Sequence, residues 1–106
     1  MEEKDWAILK IFANYFNAVK SQFEADWNSD SSPLPRTIGF SALMKLLPTL
    51  YKRGQSQNTF ERVFFESELK KAKTLAPFSF GDYPASGVGE NKLYQAIFDR
   101  ISMPPN

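Results

Sequence analysis

Leu9-Lys10-Ile11-Phe12-Ala13-Asn14-Tyr15-Phe16-Asn17-Ala18-Val19-Lys20-Ser21-Gln22-Phe23 is the stretch whose reading decides the fold class. Leu9, Phe12, Phe16, Val19 and Phe23 recur at spacings of three and four, which gathers them on one stripe of a helix. Ile8, Ile11 and Tyr15 widen that stripe, while Lys10, Asn14, Asn17, Ser21 and Glu24 fall on the other face. Glu2, Glu3 and Asp5 suit the positive end of the helix dipole. The spacing predicts a helix over residues 3–25. A helix this long must lay its apolar face on something, because propensity alone does not hold it.

The remaining segments repeat that period. Phe40, Leu43, Leu47 and Leu50, with Met44 and Tyr51 beside them, predict a second helix over residues 39–53, capped by Thr37 and closed by Gly54 in the left-handed conformation. Pro48 lies inside it, can donate no hydrogen bond to the Met44 carbonyl, and predicts a kink or break. Phe60, Val63, Phe64, Phe65, Leu69, Ala72 and Leu75 predict a third helix over 59–75, capped by Asn58 or Thr59, with Asn58 and Glu61 at capping-box spacing. Leu93, Tyr94, Ile97, Phe98 and Ile101 predict a last helix over 89–101, and residues 102–106 read as a frayed tail. Between them, residues 28–35 and 77–88 carry the Ser, Asn, Pro and Gly of loops. Three aromatics in the second loop predict that it packs onto the core. Strict alternation is nearly absent, and Phe78-Ser79-Phe80 is the one short strand candidate. The expectation is an all-α single domain over residues 1–106, a compact bundle of four to five helices.

Composition narrows the chemistry. At 106 residues the chain is one domain that can bury a real core. Aromatics make up 15% of it, so rings must build the core or an interface. It has no cysteine, hence neither a disulfide nor a thiolate metal site. It has no histidine, which removes the commonest general base, the commonest metal ligand and the switch near neutral pH. Asp26 and Asp30 stand four apart without the glycine turn or bidentate Glu of a calcium loop. Ser86-Gly87-Val88-Gly89 resembles half of a nucleophile elbow, but Pro84 occupies the first glycine's place. The expectation is no catalytic residue, no metal and no cofactor. No apolar run approaches the length of a membrane span and the acidic start lacks the features of a signal peptide, so a cytoplasmic location is expected.

Three surfaces could bind. Trp6, Ile8, Ile11 and Tyr15 make the first helix apolar over more than half its girth, which suggests contact with a protein partner or a second copy. Residues 36–73 carry eight basic against three acidic side chains, although the net charge of the whole chain is +1. Lys45, Lys52, Arg53, Lys70, Lys71 and Lys73 are therefore candidates for a nucleic-acid surface, set against a pI of about 7.9, below the usual range of such modules. Ser86, Gly87 and Gly89 open the last helix, where backbone amides can hold an anion. The plainer role there is a glycine-permitted turn capped by Ser86.

Tyr15-Phe16-Asn17-Ala18-Val19-Lys20, Trp27, Thr37-Ile38-Gly39-Phe40-Ser41-Ala42-Leu43-Met44-Lys45-Leu46-Leu47-Pro48 and the late Ser86-Gly87-Val88-Gly89 form an ordered series. Over residues 9–101 that series resembles the helical C-terminal region of bacterial DGQHR-domain proteins, a group that includes regulators of DNA phosphorothioation. The Asp-Gly-Gln-His-Arg motif itself is absent, as it must be without histidine, and so is the α/β domain that bears it. The resemblance implies a helical accessory module of a bacterial mobile-element or DNA-modification-associated system, acting by protein–protein contact, and carries over no activity.

Overall fold

The computed structural model describes residues 3–102, and the side chains of 4–102. Among them are five α-helices, one 3-10 helix and no strand: α1 (Glu3–Gln22), α2 (Glu24–Trp27), α3 (Thr37–Gln57), α4 (Arg62–Leu69), the 3-10 helix (Lys70–Leu75) and α5 (Gly87–Ser102). The all-α bundle expected from the periodicity is present. α1 packs along α4, α3 packs along α5, and the 3-10 helix touches both α4 and α5. Tyr15, Val19 and Phe23 from α1 and its end meet Leu43, Leu46 and Leu50 of α3, Phe65 and Leu69 of α4, and Leu93, Ile97 and Ile101 of α5. Leu34 and Phe78 seal this core from the two long loops.

Several element ends differ from the sequence expectation. The first helix breaks at Phe23, whose φ of −125° and ψ of 44° are not helical. The break turns Phe23 and Asp26 into the protein, where both are buried. Asp26 Oδ1 accepts from Ser32 Oγ at 2.8 Å and from the Phe78 N–H at 2.9 Å, and a straight continuation of α1 would forfeit both bonds.

α3 neither breaks at Pro48 nor stops at Gly54. Leu46, Leu47 and Leu50 are buried around the proline, so packing outweighs one missing hydrogen bond. Gly54 is a buried helical residue, where a Cβ would come within 2.6 Å of the Thr59 carbonyl oxygen and 2.7 Å of the Phe60 ring. The left-handed residue is Asn58, at φ 55° and ψ 43°. Its N–H reaches the Gln55 carbonyl and the Thr59 N–H reaches Gly54, the paired bonds of a Schellman ending. Asn58 thus ends α3 and does not cap the next helix, which starts at Arg62 and tightens to 3-10 after Leu69. At the other end of α3, Thr37 is already helical and no side chain caps it.

Gly39 is required by a close approach: a Cβ there would lie 1.9 Å from the Leu34 carbonyl oxygen, where the loop crosses the first turn of α3. α5 begins at Gly87, two residues earlier than expected, and includes Ser102. Residues 103–106 of the expected tail lie outside the described residues. The strand candidate Phe78-Ser79-Phe80 is loop. Phe78 is buried and Tyr83 half-buried against it, as the aromatic content of that loop predicted, while Phe80 stays exposed.

Candidate interaction surface

Residues 4–10, the first two turns of α1, are exposed on every side of the helix. The body of the protein begins to cover α1 at Ile11 and Phe12 and encloses it at Tyr15.

That helix start is apolar. Trp6 is 64% exposed, Ile8 51% and Leu9 48%. Isolated exposed apolar residues are ordinary, but three within one turn of an unsupported helix form a patch. The patch has two sides. Toward α3, Ile8, Ile11 and Phe12 face Met44, Leu47, Pro48 and Tyr51 across an open groove of about 560 Å³. Away from α3 and α4, Trp6, Leu9, Lys10 and Ala13 form a shallow surface lined by α1 alone. α1 runs antiparallel to α3, because Tyr15 and Phe16 meet Leu43 and Phe40 while Ile8 lies beside Tyr51.

The sequence-based partner surface is therefore partly corrected. Trp6 and Ile8 are exposed, Ile11 is half-buried, and Tyr15 is in the core. The Tyr15 hydroxyl donates to the Leu43 carbonyl at 2.7 Å, and burial pushes its phenol well above the ordinary tyrosine range, so it remains a neutral donor. Leu9 departs in the opposite sense. The spacing sets it on the inward stripe, but the core does not reach that far along α1. Phe40 and Val63, also expected inward, are 54% and 72% exposed, with Phe40 stacked on Phe16. Pro48 and Tyr51 complete the groove. Met44 and Tyr51 stand beside their helix's stripe, as Ile8 and Ile11 stand beside theirs, but only the antiparallel crossing brings those two edges together.

The six candidate basic residues do not form one surface. Lys45 Nζ lies 2.6 Å from Glu90 Oε2 and donates to Asn91. Arg53 Nη1 lies 2.6 Å from Glu68 Oε2 and also donates to the Ile101 carbonyl at 3.0 Å. Lys71 shares Glu68 at 3.2 Å. These bonds tie α3, α4 and α5 together. Lys52, Lys70 and Lys73 make no ion pair among the described residues. Lys52 stands by Ile8 near the start of α1, and Lys73 by Ser21–Ala25 near its end. At 1.5 Å per residue, Ile8 and the end of α1 at Gln22 are about 21 Å apart.

Ser86 plays the plainer of its two expected roles. Its hydroxyl accepts from the Gly89 N–H at 3.3 Å and its carbonyl from the Glu90 N–H at 2.9 Å. Gly89 is buried, with room for no Cβ, which would sit 1.7 Å from the Pro84 carbonyl oxygen. Gly87 faces open space. Elsewhere, Ser21 and Arg62 both donate to Glu66 and hold its carboxyl below the usual range, chiefly through the Ser21 bond.

Among the described residues, no group of three or more carboxylates has the arrangement to hold a metal ion, and no helix is long and apolar enough to cross a membrane. Comparison with protein-family models, with curated proteins and with solved structures finds no match to this chain.

Proposed function

We propose that this chain is a non-catalytic helical interaction module that works by protein–protein contact through the start of α1. The observation that carries the reading is the exposure of Trp6, Ile8 and Leu9 on the first two turns of α1, where every residue from 4 to 10 is exposed. A short helix segment in water is marginal, and an apolar one gains most by burial against another surface. The composition agrees: without histidine or cysteine the commonest general base and the thiolate nucleophile are missing. The resemblance to the helical region of DGQHR-domain proteins supplies the setting, an accessory role in a bacterial mobile-element or DNA-modification-associated system.

The test places a photo-reactive phenylalanine analogue at position 6, and at position 95 on exposed α5 as control, in cells that make the protein. The reading expects one dominant protein adduct from position 6 that disappears in a Leu9→Glu background. It is overturned if position 6 gives no more adduct than position 95.

A second reading, DNA binding through the middle segment, is favoured by Lys70 and Lys73, neighbours on the 3-10 helix that make no ion pair among the described residues. It requires binding to a random duplex that falls steeply with salt. Weak binding unchanged by Lys70→Ala and Lys73→Ala would remove it.

A further inference from the structure

We propose that residues 4–10 are a helical arm that opens and closes on its own, in an equilibrium separate from the folding of the core. The inference goes beyond the reading of α1 as a contact surface, because it holds whatever covers that surface.

The helix that α1 lies on starts too late to hold the arm. Asn14 donates to the Phe60 carbonyl at 3.0 Å and Ser21 donates to Glu66, so α4 follows α1 in the same direction. α4 begins at Arg62, which shares a hollow with Asn17 and Lys20. Residues 4–10 overhang that start. On the other side, Ile8 faces Tyr51, itself 39% exposed, across the open groove. Ala7 and Lys10 only border a hollow beside Phe60 and Glu61. Among the described residues, Asn14 is the first of α1 whose side chain hydrogen-bonds to another element, and Tyr15 is the first that is buried.

Local forces do not make up the difference. Trp6 and Ile8 lose side-chain freedom in a helix, and no ion pair bridges the turns of the arm among the described residues. A helical residue without tertiary contact adds little stability, whereas opening α1 further along must break the packing of Tyr15 and Val19. Two opening free energies therefore share one helix, with their boundary between Ile11 and Asn14. Trp6, Ile8 and Leu9 adjoin one another only while the arm is helical, so any contact with them draws it shut.

Amide hydrogen exchange on the full chain, read by nuclear magnetic resonance, tests this. The N–H groups of Ile8 to Phe12 bond to carbonyls of residues 4–8. They should be protected less than about tenfold, as locally opening segments are. Val19 should be protected roughly a thousandfold or more, through global unfolding. Ala7 is exposed, so Ala7→Gly should lower the helical circular dichroism and leave the urea midpoint and the Val19 rate unchanged. Ile8–Phe12 amides as slow as Val19 overturn the proposal, as does an Ala7→Gly chain whose urea midpoint falls with its helicity. The photo-adduct at position 6 tests the contact reading separately, so either idea can fail while the other stands.

Discussion

Asp26 and Phe78 are joined across 52 residues by one hydrogen bond, from the Phe78 N–H to Asp26 Oδ1 at 2.9 Å. The same oxygen accepts from Ser32 at 2.8 Å. One buried carboxylate thus fixes the turn after α1, the loop into α3 and the loop into α5.

Asp26→Ala leaves the Phe78 N–H and the Ser32 hydroxyl without their partner inside the protein. Hydrogen bonds to a charged acceptor are worth about 1.5–3 kcal/mol each, and orphaning a buried donor costs its desolvation as well. The expected loss is about 2–4 kcal/mol on that scale. Asp26→Asn keeps an acceptor oxygen and should lose clearly less. Urea unfolding measures both, and equal midpoints for the two variants would contradict the assignment.

Gly87 and Gly89 separate under substitution. At Gly89 a methyl group meets the Pro84 backbone at 1.7 Å, so Gly89→Ala must displace the loop before α5 and should destabilise by several kcal/mol, as severe overpacking does. At Gly87 nothing lies within 4 Å and the residue is helical, so Gly87→Ala should be neutral or stabilising by up to about 1 kcal/mol. Thermal unfolding of the two variants decides it. Gly87→Ala is also the clean probe of the anion role considered for this turn, because it leaves the fold intact.

The helices were legible because burial follows the three-four spacing wherever a helix crosses the core. Val19, Leu43, Leu50, Leu93 and Ile97 are all where the pattern puts them. The ends were not, because contacts distant in sequence set them. Lys52-Arg53-Gly54 carries a local stop signal, yet the Phe60 ring returns over Gly54 and the helix runs on to Asn58. Nothing local to Asp26 points to its burial, because its partners are Ser32 and the Phe78 backbone, six and 52 residues away. For the candidate surface, Trp6 and Ile8 were legible as surplus apolar girth. Tyr15 was misplaced because its hydroxyl finds the Leu43 carbonyl, and Leu9 because nothing local records where the core ends along α1.

Pro48 sits inside a continuous helix, exposed at the groove beside Ile8 and Phe12. Its replacement by alanine supplies an N–H for the Met44 carbonyl and removes the ring from that turn. Pro48→Ala should raise stability by about 1–3 kcal/mol, the range of proline's cost in a helix interior. The measurement is the urea midpoint at constant slope. A drop in stability would show that the ring contributes more to groove packing than its missing bond costs the helix.

Acid should unfold this protein through identifiable carboxylates. Glu66 is held below its ordinary range first by the Ser21 hydroxyl and then by Arg62, with partial burial opposing. Glu90 is held down first by Lys45 and also by Ser41, again against partial burial. A carboxylate whose folded pKa lies below its unfolded value adds stability that is fully present above the unfolded value, about 4.3 for Glu, and is lost as pH falls through the folded one. With no histidine in the chain, stability should be flat between pH 8 and 6 and fall below about pH 4.3. Glu66→Gln with Glu90→Gln should shallow that fall and lower the neutral plateau. Urea midpoints across the pH range read both effects. A double variant whose acid limb matches the wild type would assign the acid sensitivity to other carboxylates.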